Sequence, residues 1–442
     1  MKQSGPTSQS ILTRYPAITF VIIGLMTGSS LQAPAQDMTP ETETEAKHQK
    51  SLKDFSPIEV VPKFGGGRWC GWISNEPGTV FDNSDYPLVQ SFVIYGNPQW
   101  QYSHVSGTDA NGETFSGSEF ELRRFTFGMR IHFLQYFTAS ISSDMEDDGE
   151  PKDDGSYDSF DYALYSSDII FDAQDAFNWE CYDQFQLRMG YFKVPSNAGW
   201  ATSSNSMRGI ERTSLSNYSS PSDSIGMMIS ARRNRWDVDL GLFSSDNIDN
   251  GLSSDQGSFW LGHVGYMFGH WYQMDSVRAD LRVLVNSDAS KGETFRQDWV
   301  VSMSTVMRKK HWRLMADFIV GENGHFGEPS QRGGYWGINI MPSLWLIEDR
   351  LEAVFRYQYA HAERRNGFRI SAHSARRIAD QEGADIHDGY GDKHQSAYAG
   401  LNYYLCGDNT KIMAGVQWDD LQSNDRQVYE GLTTWVAIRL YF

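Results

Sequence analysis

Short and long connections alternate along this chain between segments in which every second side chain is apolar. The segments recur from residue 89 to residue 442, each near the roughly 10-residue length of a tilted membrane-crossing strand. Such alternation predicts strands with one apolar face. Sixteen strands are predicted, near 89–102, 120–132, 135–145, 168–180, 184–194, 224–232, 235–244, 258–269, 277–286, 297–308, 311–321, 333–341, 350–361, 394–405, 410–420 and 431–442.

The lengths of the connections indicate how these strands are arranged. Connections after even-numbered strands are short, as at Phe133-Leu134 and Lys309-Lys310, whereas those after odd-numbered strands are long, as at 146–167 and 362–393. Short periplasmic turns opposite long extracellular loops are typical of outer-membrane barrels. A propeller would show a blade repeat of about 40–50 residues, and none is seen. The pattern predicts an all-β protein, a transmembrane antiparallel β-barrel.

The last segment alternates up to the final residue of the sequence. Its apolar positions are Leu432, Val436, Ile438, Leu440 and Phe442. A terminal aromatic residue is typical of the strand that closes an outer-membrane barrel. Taken alone, the segment fits the final strand of a soluble sandwich equally well, so the strand count decides between them.

The N-terminal region has the features of a secretory signal. Lys2 and Arg14 precede an apolar run at 17–26, which is too short for the roughly 20 residues that a membrane helix needs. Ala33-Pro34-Ala35 resembles a cleavage site. Residues 1–35 are therefore predicted to be a signal peptide, 36–88 a periplasmic lead, and 89–442 the barrel. Since no later segment resembles a membrane helix, a membrane-spanning fold requires a closed barrel.

Composition and motifs exclude several classes of function. The net charge of −18 argues against nucleic acid as a partner. Three cysteines without Cys-x-x-Cys spacing indicate neither a disulfide framework nor a zinc site, and the state of Cys70, Cys181 and Cys406 stays open. The chain lacks a nucleophile elbow, a P-loop and a zinc-protease motif, so no enzymatic activity, cofactor or metal is predicted.

Several short motifs resemble one family of channels. Leu187-Arg-Met-Gly-Tyr-Phe-Lys-Val-Pro195 resembles the Arg-x-Gly-x-Phe-Lys-x-Pro signature of the phosphate-selective porin O and P family. Weaker similarities lie at Glu121–Gly128, 172–177, 202–213 and 221–226. The resemblance covers roughly residues 88–442. It implies a sixteen-stranded trimeric porin whose third extracellular loop, 195–223 here, folds into the pore as a constriction.

The sequence also departs from that family's pattern. Asp223 stands where the family usually has arginine, and the chain has 12 Lys against 26 Arg, whereas lysines largely carry the family's phosphate specificity. The expected function is a water-filled outer-membrane channel for passive diffusion of small solutes, with anion or phosphate preference left open. The alternatives are a receptor or structural barrel with little conduction, and a membrane-embedded lipid hydrolase.

Side-chain alternation predicts which residues line such a channel. If Phe127 and its alternate neighbours face lipid, inward positions and the constriction loop hold many arginines. A ring of guanidinium groups would favour anions, although the same groups could instead pair with lumenal carboxylates and hold the wall in shape. The predicted pore-lining residues are Arg124, Arg130, Arg188, Lys193, Arg208, Arg212, Arg282, Arg313 and Arg356.

Two further features extend these predictions. Strict alternation puts Lys193 on the lipid side, although snorkelling or a bulge before Pro195 could turn it inward. The basic stretch from Arg364 to Arg377 is interpreted as an external loop that attracts anions or contacts lipopolysaccharide phosphates. Predicted partners are outer-membrane lipid and lipopolysaccharide, small anions or other hydrophilic solutes, and two further copies of the chain.

Overall fold

The computed structural model describes residues 70, 72–73, 78–146, 161–246, 257–290, 292–324 and 328–442. Sixteen antiparallel strands form a closed barrel, because the last strand pairs with the first. The predicted signal peptide lies outside the described residues. The strands are β1 Val89–Thr108, β2 Thr114–Phe133, β3 Phe137–Glu146, β4 Asp161–Asp172, β5 Gln184–Phe192, β6 Ser224–Arg233, β7 Trp236–Ser244, β8 Ser258–Trp271, β9 Met274–Asn286, β10 Gln297–Lys309, β11 Trp312–Asn323, β12 Gly333–Ile347, β13 Leu351–Ala362, β14 Lys393–Tyr404, β15 Thr410–Ser423 and β16 Arg426–Leu440.

The C-terminal aromatic residue continues the seam at which the barrel closes. β16 pairs with β1 from Glu430 opposite Thr108 to Arg439 opposite Gln99. Beyond the end of β16, the N–H of Phe442 donates to the Gly96 carbonyl at 3.1 Å, and the N–H of Gly96 donates back at 3.1 Å. The Phe442 ring lies over Gly96 so closely that a Cβ there would be 2.5 Å from its Cζ. The sequence prediction of a closing strand is confirmed.

The N-terminal segment adds a short strand to the barrel wall next to β1. A short strand, Thr79–Asp82, pairs with β1, and the Ile94 N–H donates to the Gly78 carbonyl at 2.8 Å. A disulfide joins Cys70 to Cys406 in the turn before β15, across 336 residues. Cys181 is exposed and free. The spacing of the cysteines gave no sign of the disulfide, because the two partners meet only when the barrel closes.

Several of the predicted strands and connections have different bounds in the structure. β4 ends at Asp172 rather than near 180, because the Asp172 side chain accepts the Asp175 N–H and begins helix α1, Ala173–Phe177. The predicted long loops 103–119 and 421–430 are mostly strand, with turns at 109–113 and 424–425. Outward residues in those extensions are polar, as Ser106 and Ser118 are, so no apolar face marks them in the sequence.

The remaining helices lie in the loops. They are α2 Ala198–Ala201, α3 Ser214–Tyr218 and α4 His373–Gln381. Among the described residues, no helix has the length and apolarity needed to span a bilayer. The two larger loops, 193–223 between β5 and β6 and 363–392 between β13 and β14, contain these three helices.

The barrel interior holds an apolar cluster that alternation did not predict. Large exposed apolar side chains such as Phe127, Met303 and Phe355 form the outer belt, as expected of a membrane barrel. Near the long-loop ends of the strands, however, the inward-facing side chains are also apolar and fully buried. We call this cluster the apolar collar; its wall members include Val105, Phe115, Phe192, Phe243, Phe259, Leu284, Val300, Ile319, Tyr335, Leu421 and Tyr429, and its loop members include Leu215, Phe295, Phe368, Ile370, Ile378 and Ile386.

Candidate functional site

Loop 193–223 lies inside the barrel and is held in shape by its own capping side chains. The Asn197 side chain accepts the Trp200 N–H at 2.8 Å and begins α2, while its amide donates to the Ser216 carbonyl at 3.1 Å and to the Ser220 hydroxyl at 2.8 Å. The Thr213 hydroxyl accepts the Ser216 N–H at 3.1 Å and begins α3. These bonds tie the two ends of the loop together, so the loop can present side chains in fixed positions.

A bulge in β2 joins this loop to the wall. The pairing of β1 with β2 shifts register between Gln99 and Trp100, which leaves an extra residue at Arg123. A bulge re-aims the side chains next to it, and Arg123 and Arg124 both reach the Glu211 carboxylate of the loop, at 2.9 and 3.2 Å. Burial alone would raise the pKa of Glu211, but the charges of the two guanidiniums outweigh it and hold that pKa well below its usual range.

The opposite side of loop 193–223 is bound by cations of β13, β15 and β16. Arg208 donates to the Glu352 carboxylate at 2.8 Å. Lys411 donates to the Met207 carbonyl at 2.9 Å, Arg439 to the Ser204 carbonyl at 3.0 Å, and Arg356 to the Glu211 carbonyl at 2.5 Å. Arg208 of the loop and these three cations of the wall hold the loop in place, which for Arg208 and Arg356 is the structural role that the sequence left open.

Solvent exposure separates the nine predicted pore-lining residues into two groups. The first group is half-buried and faces the part of the lumen bounded by β2, β4 and β5, whereas the second is buried beneath the loop or within the wall. The half-buried residues are Arg124, Arg130, Arg188, Lys193 and Arg212. The buried residues are Arg208, Arg282, Arg313 and Arg356.

Three of the half-buried cations are held by aromatic rings. The Arg130 guanidinium lies 5.3 Å from the centre of the Tyr95 ring. The Lys193 ammonium and the Arg212 guanidinium lie 4.5 and 5.2 Å from the Trp200 ring. Aromatic faces attract cations without neutralising them. No carboxylate oxygen of the described residues lies within 4.0 Å of any of the three.

Lys193 is not on the lipid side, where strict alternation put it. β5 ends at Phe192, so the alternation stops there and the chain turns inward to Trp200. Two residues earlier, Gly190 has φ +131 and a Cβ there would lie 2.2 Å from the Ser167 carbonyl oxygen. Glycine is therefore required at this position of the family-like motif.

Arg188 and Arg212 complete the half-buried group. Arg188 donates to Asp168 at 2.8 Å and lies 4.2 Å from the Phe192 ring. Arg212 donates to the Thr202 carbonyl at 2.9 Å. Burial and the nearby charge of Arg124 lower the pKa of Arg212 to about 10, so Arg212 keeps its charge at neutral pH.

The buried group occupies two places. Arg282 lies on β9 within 3.4 Å of Asp280, which also binds His263 at 2.8 Å and Arg278 at 2.8 Å. Arg313 and Arg356 line a cavity of about 40 Å³ between loop 193–223 and the wall. The cavity is large enough for a few water molecules, but its arginines are almost fully covered.

Arg123 and Lys411 were not predicted from the sequence to be lumenal cations. Arg439 was not included in the predicted site either, although side-chain alternation places it on the inward face of its strand. Arg123 has outward parity in the sequence, and only the bulge turns it. Lys411 is fully buried and also binds Asp408 at 3.1 Å. The sequence offered one signal for Lys411: it is a lysine in a strand of alternating apolar residues, one residue after a turn.

Several solved structures share this fold at low sequence identity. The outer membrane channel DcaP of Acinetobacter baumannii aligns with a TM-score of 0.51 and 10% identity, covering 80% of this chain and 97% of that one. An anion-selective porin from Comamonas acidovorans gives 0.51 and 13%, covering 80% and 99%. OmpF of Salmonella typhi, solved with daunomycin, gives 0.50 and 11%, covering 80% and 98%. No curated protein matches the chain.

The closed barrel and its polar lumen define a porin, an outer-membrane channel for small solutes. Residues 92–263 match the family described as phosphate-selective porin O and P. The match spans the motif around Gly190 and supports the resemblance to that family that this motif predicted. Family and fold point to a channel rather than an enzyme.

Proposed function

We propose that this porin passes small anions in preference to cations, along the side of the lumen formed by β2, β4, β5 and loop 193–223. One observation carries the proposal: Arg130, Lys193 and Arg212 are half-buried, lie against aromatic rings and have no carboxylate within 4.0 Å in the described parts of the chain. Uncompensated cations at a constriction attract anions and repel cations. In this proposal loop 193–223 is the constriction.

The proposal assigns selectivity to five of the nine predicted residues. Arg208 pairs with Glu352, and Arg356 binds a loop carbonyl, so both act in holding the loop. Arg282 and Arg313 are too deeply covered to touch a passing solute. Arg124 shares Glu211 with Arg123, and Arg188 pairs with Asp168, so each contributes less to the field than Arg130, which has no carboxylate within 4.0 Å among the described residues.

Phosphate preference is a narrower proposal than anion preference. A phosphate-binding site would be expected to offer several donors to one anion, in the manner of arginine forks. Lys193 and Arg212 share the Trp200 ring and so lie on the same aromatic side chain, which makes them the pair most able to bind one oxyanion together. Block of chloride current by added phosphate would support this site, and its absence would leave a general anion channel.

Reversal potentials across a planar bilayer in a potassium chloride gradient test the proposal. We expect the wild-type potential to have the sign of anion preference, and Arg130→Gln with Lys193→Gln to move it toward zero. Arg233→Gln with Arg235→Gln is the matched control, because both arginines are exposed at the turn between β6 and β7 and their loss removes the same two charges. Cation preference of the wild type, or an equal shift in the control, would contradict the proposal.

Assembly and envelope contacts are also proposed from the sequence. A homotrimer is supported by the resemblance to porins and by the broad apolar outer belt. Arg364 and Arg365 are exposed in loop 363–392, where they could contact lipopolysaccharide phosphates. Native mass determination in detergent tests the trimer, and loss of lipopolysaccharide copurification in Arg364→Gln with Arg365→Gln tests the lipid contact.

A further inference from the structure

We propose that loop 363–392 is a second constriction that sets the size limit of the channel, with Glu121 on β2 as the residue that positions it. This inference goes beyond anion preference and does not depend on it. It concerns how large a solute can pass, whereas the proposed function concerns its charge.

Loop 363–392 is a folded unit inside the barrel. Two short strands, Phe368–Arg369 and Tyr390–Gly391, pair with each other at its base, and α4 lies between them. The Phe368 ring packs on the Tyr218 ring of loop 193–223, with 4.9 Å between the two ring centroids. Ile378 of α4 packs against β2 so tightly that a Cβ on Gly117 would lie 2.8 Å from it. The loop therefore fills space inside the barrel rather than projecting outward.

A polar clasp fixes α4 to the inner face of β2. Glu121 accepts a hydrogen bond from Arg377 at 3.0 Å and pairs with His373 at 3.1 Å. Glu121 also accepts the Gln101 amide at 2.6 Å, which fixes its own carboxylate. Arg377 reaches Glu119 as well, at 3.2 Å. Because Glu121 is almost fully buried, loss of its charge would leave Arg377 without its charged acceptor in the clasp.

This arrangement corrects the sequence interpretation of the basic stretch. Arg364 and Arg365 are exposed as expected, whereas His373 and Arg377 point into the barrel and bind β2. The alternation of the strands gave no sign that α4 would fold inward. Buried apolar residues on one side of α4, chiefly Ile378, pair with the collar and draw it in.

The apolar collar determines where the passage can run. Its wall members come from β1, β2, β5–β13, β15 and β16, and among the described residues none comes from β3, β4 or β14. On β14 the His394 ring stacks on Phe368 of the loop, with 5.8 Å between the ring centroids, so that strand is covered as well. Inward side chains on β3 and β4 are polar, such as Ser142 and Ser166, whose hydroxyls lie 2.7 Å apart. Water and hydrophilic solutes are excluded from packed apolar regions. Loop 363–392 therefore narrows the extracellular half of the channel to the side of β3 and β4.

Loop 363–392 can be removed without disturbing β13 and β14, the two strands that it connects. The Ala362 N–H donates to the Asp392 carbonyl at 2.8 Å, and His361 lies opposite Lys393, so a short Asn-Gly turn can replace residues 364–391. We expect the excised protein to conduct more than wild type and to admit, in liposome swelling, sugars that wild type excludes. The reversal potential should keep its sign, because Arg130 and Lys193 are retained.

Point variants test the clasp if the excision impairs folding. Glu121→Gln combined with Arg377→Gln should raise the largest sugar admitted while the heat-modifiable barrel band is unchanged. Glu430→Gln is the control, since Glu430 is exposed on β16 and is not one of the clasp residues. A folded barrel whose conductance and sugar limit match wild type, in the excision or in the double variant, would overturn the proposal. An unchanged sugar limit with the wild-type reversal potential would contradict this inference and leave the proposed function standing, whereas loss of anion preference with Arg130 and Lys193 retained would contradict the proposed function.

Discussion

Arg123 and Glu211 are joined by a hydrogen bond of 2.9 Å although 88 positions separate them. Arg123 is the extra residue of a β-bulge, and Glu211 lies on the loop that enters the lumen. An irregularity in the wall therefore supplies the donors that bind loop 193–223. The first prediction tests whether this one contact holds the loop in place.

Glu211→Gln should weaken the attachment of loop 193–223. The change removes a charged acceptor shared by two arginines, which is worth about 1.5–3 kcal/mol. We expect more current fluctuation in single-channel recordings and a lower unfolding temperature. Glu430→Gln, on the exposed part of β16, should behave as wild type in both measurements.

The same contact predicts a pH dependence. The pKa of Glu211 is held well below its usual range in the folded protein, so its stabilisation is complete above the ordinary value of about 4.3 and is lost only as pH falls through the lower folded value. Current fluctuation should stay constant from neutral pH to about that ordinary value and rise below it. A rise already between pH 7 and 5 would show that another group controls the loop.

Lys193 should be accessible from water rather than from lipid. In a Cys181→Ser background, Lys193→Cys is expected to react with a charged, membrane-impermeant maleimide. Met189→Cys provides the control, because Met189 lies on the exposed apolar face of β5. Equal protection of both positions would indicate that Lys193 faces the bilayer, as strict alternation suggested.

The Cys70–Cys406 disulfide should stabilise the closed barrel. Cys70→Ser is expected to lower stability by about 2–4 kcal/mol, since the bond restricts a long segment of the unfolded chain. Thermal loss of the heat-modifiable band measures this effect. Cys181→Ser should change nothing, because Cys181 is free and exposed. Labelling of more than one thiol per untreated chain would show that the disulfide does not form.

Gly96→Ala should impair closure of the barrel. The added methyl would lie 2.5 Å from the Phe442 ring, and forcing that ring aside would cost about 1–3 kcal/mol. We expect slower assembly and a lower unfolding temperature. Gly262→Ala on β8 is a matched control, since nothing lies within 4 Å of a Cβ there. Equal behaviour of the two variants would mean that the Phe442 ring does not depend on Gly96.

The strand count and the closure by Phe442 followed from the sequence, because side-chain alternation reports which face of a strand meets lipid. Alternation also predicted that Arg130 and Arg188 face inward. It failed where the chain leaves the regular ladder: at Lys193 beyond the end of β5, and at Arg123 in the bulge. Local geometry of this kind leaves no periodic signal in the sequence.

Only the tertiary structure decided which lumenal cations remain available to a solute. Arg130 and Arg313 have the same inward parity, yet one lies against Tyr95 and stays half-exposed while the other is covered beneath loop 193–223. Exposure depends on what packs against a side chain from elsewhere in the chain. The alternating pattern thus determined the barrel, whereas the inward folding of two loops, driven by buried apolar and ionic contacts far apart in sequence, determined its interior.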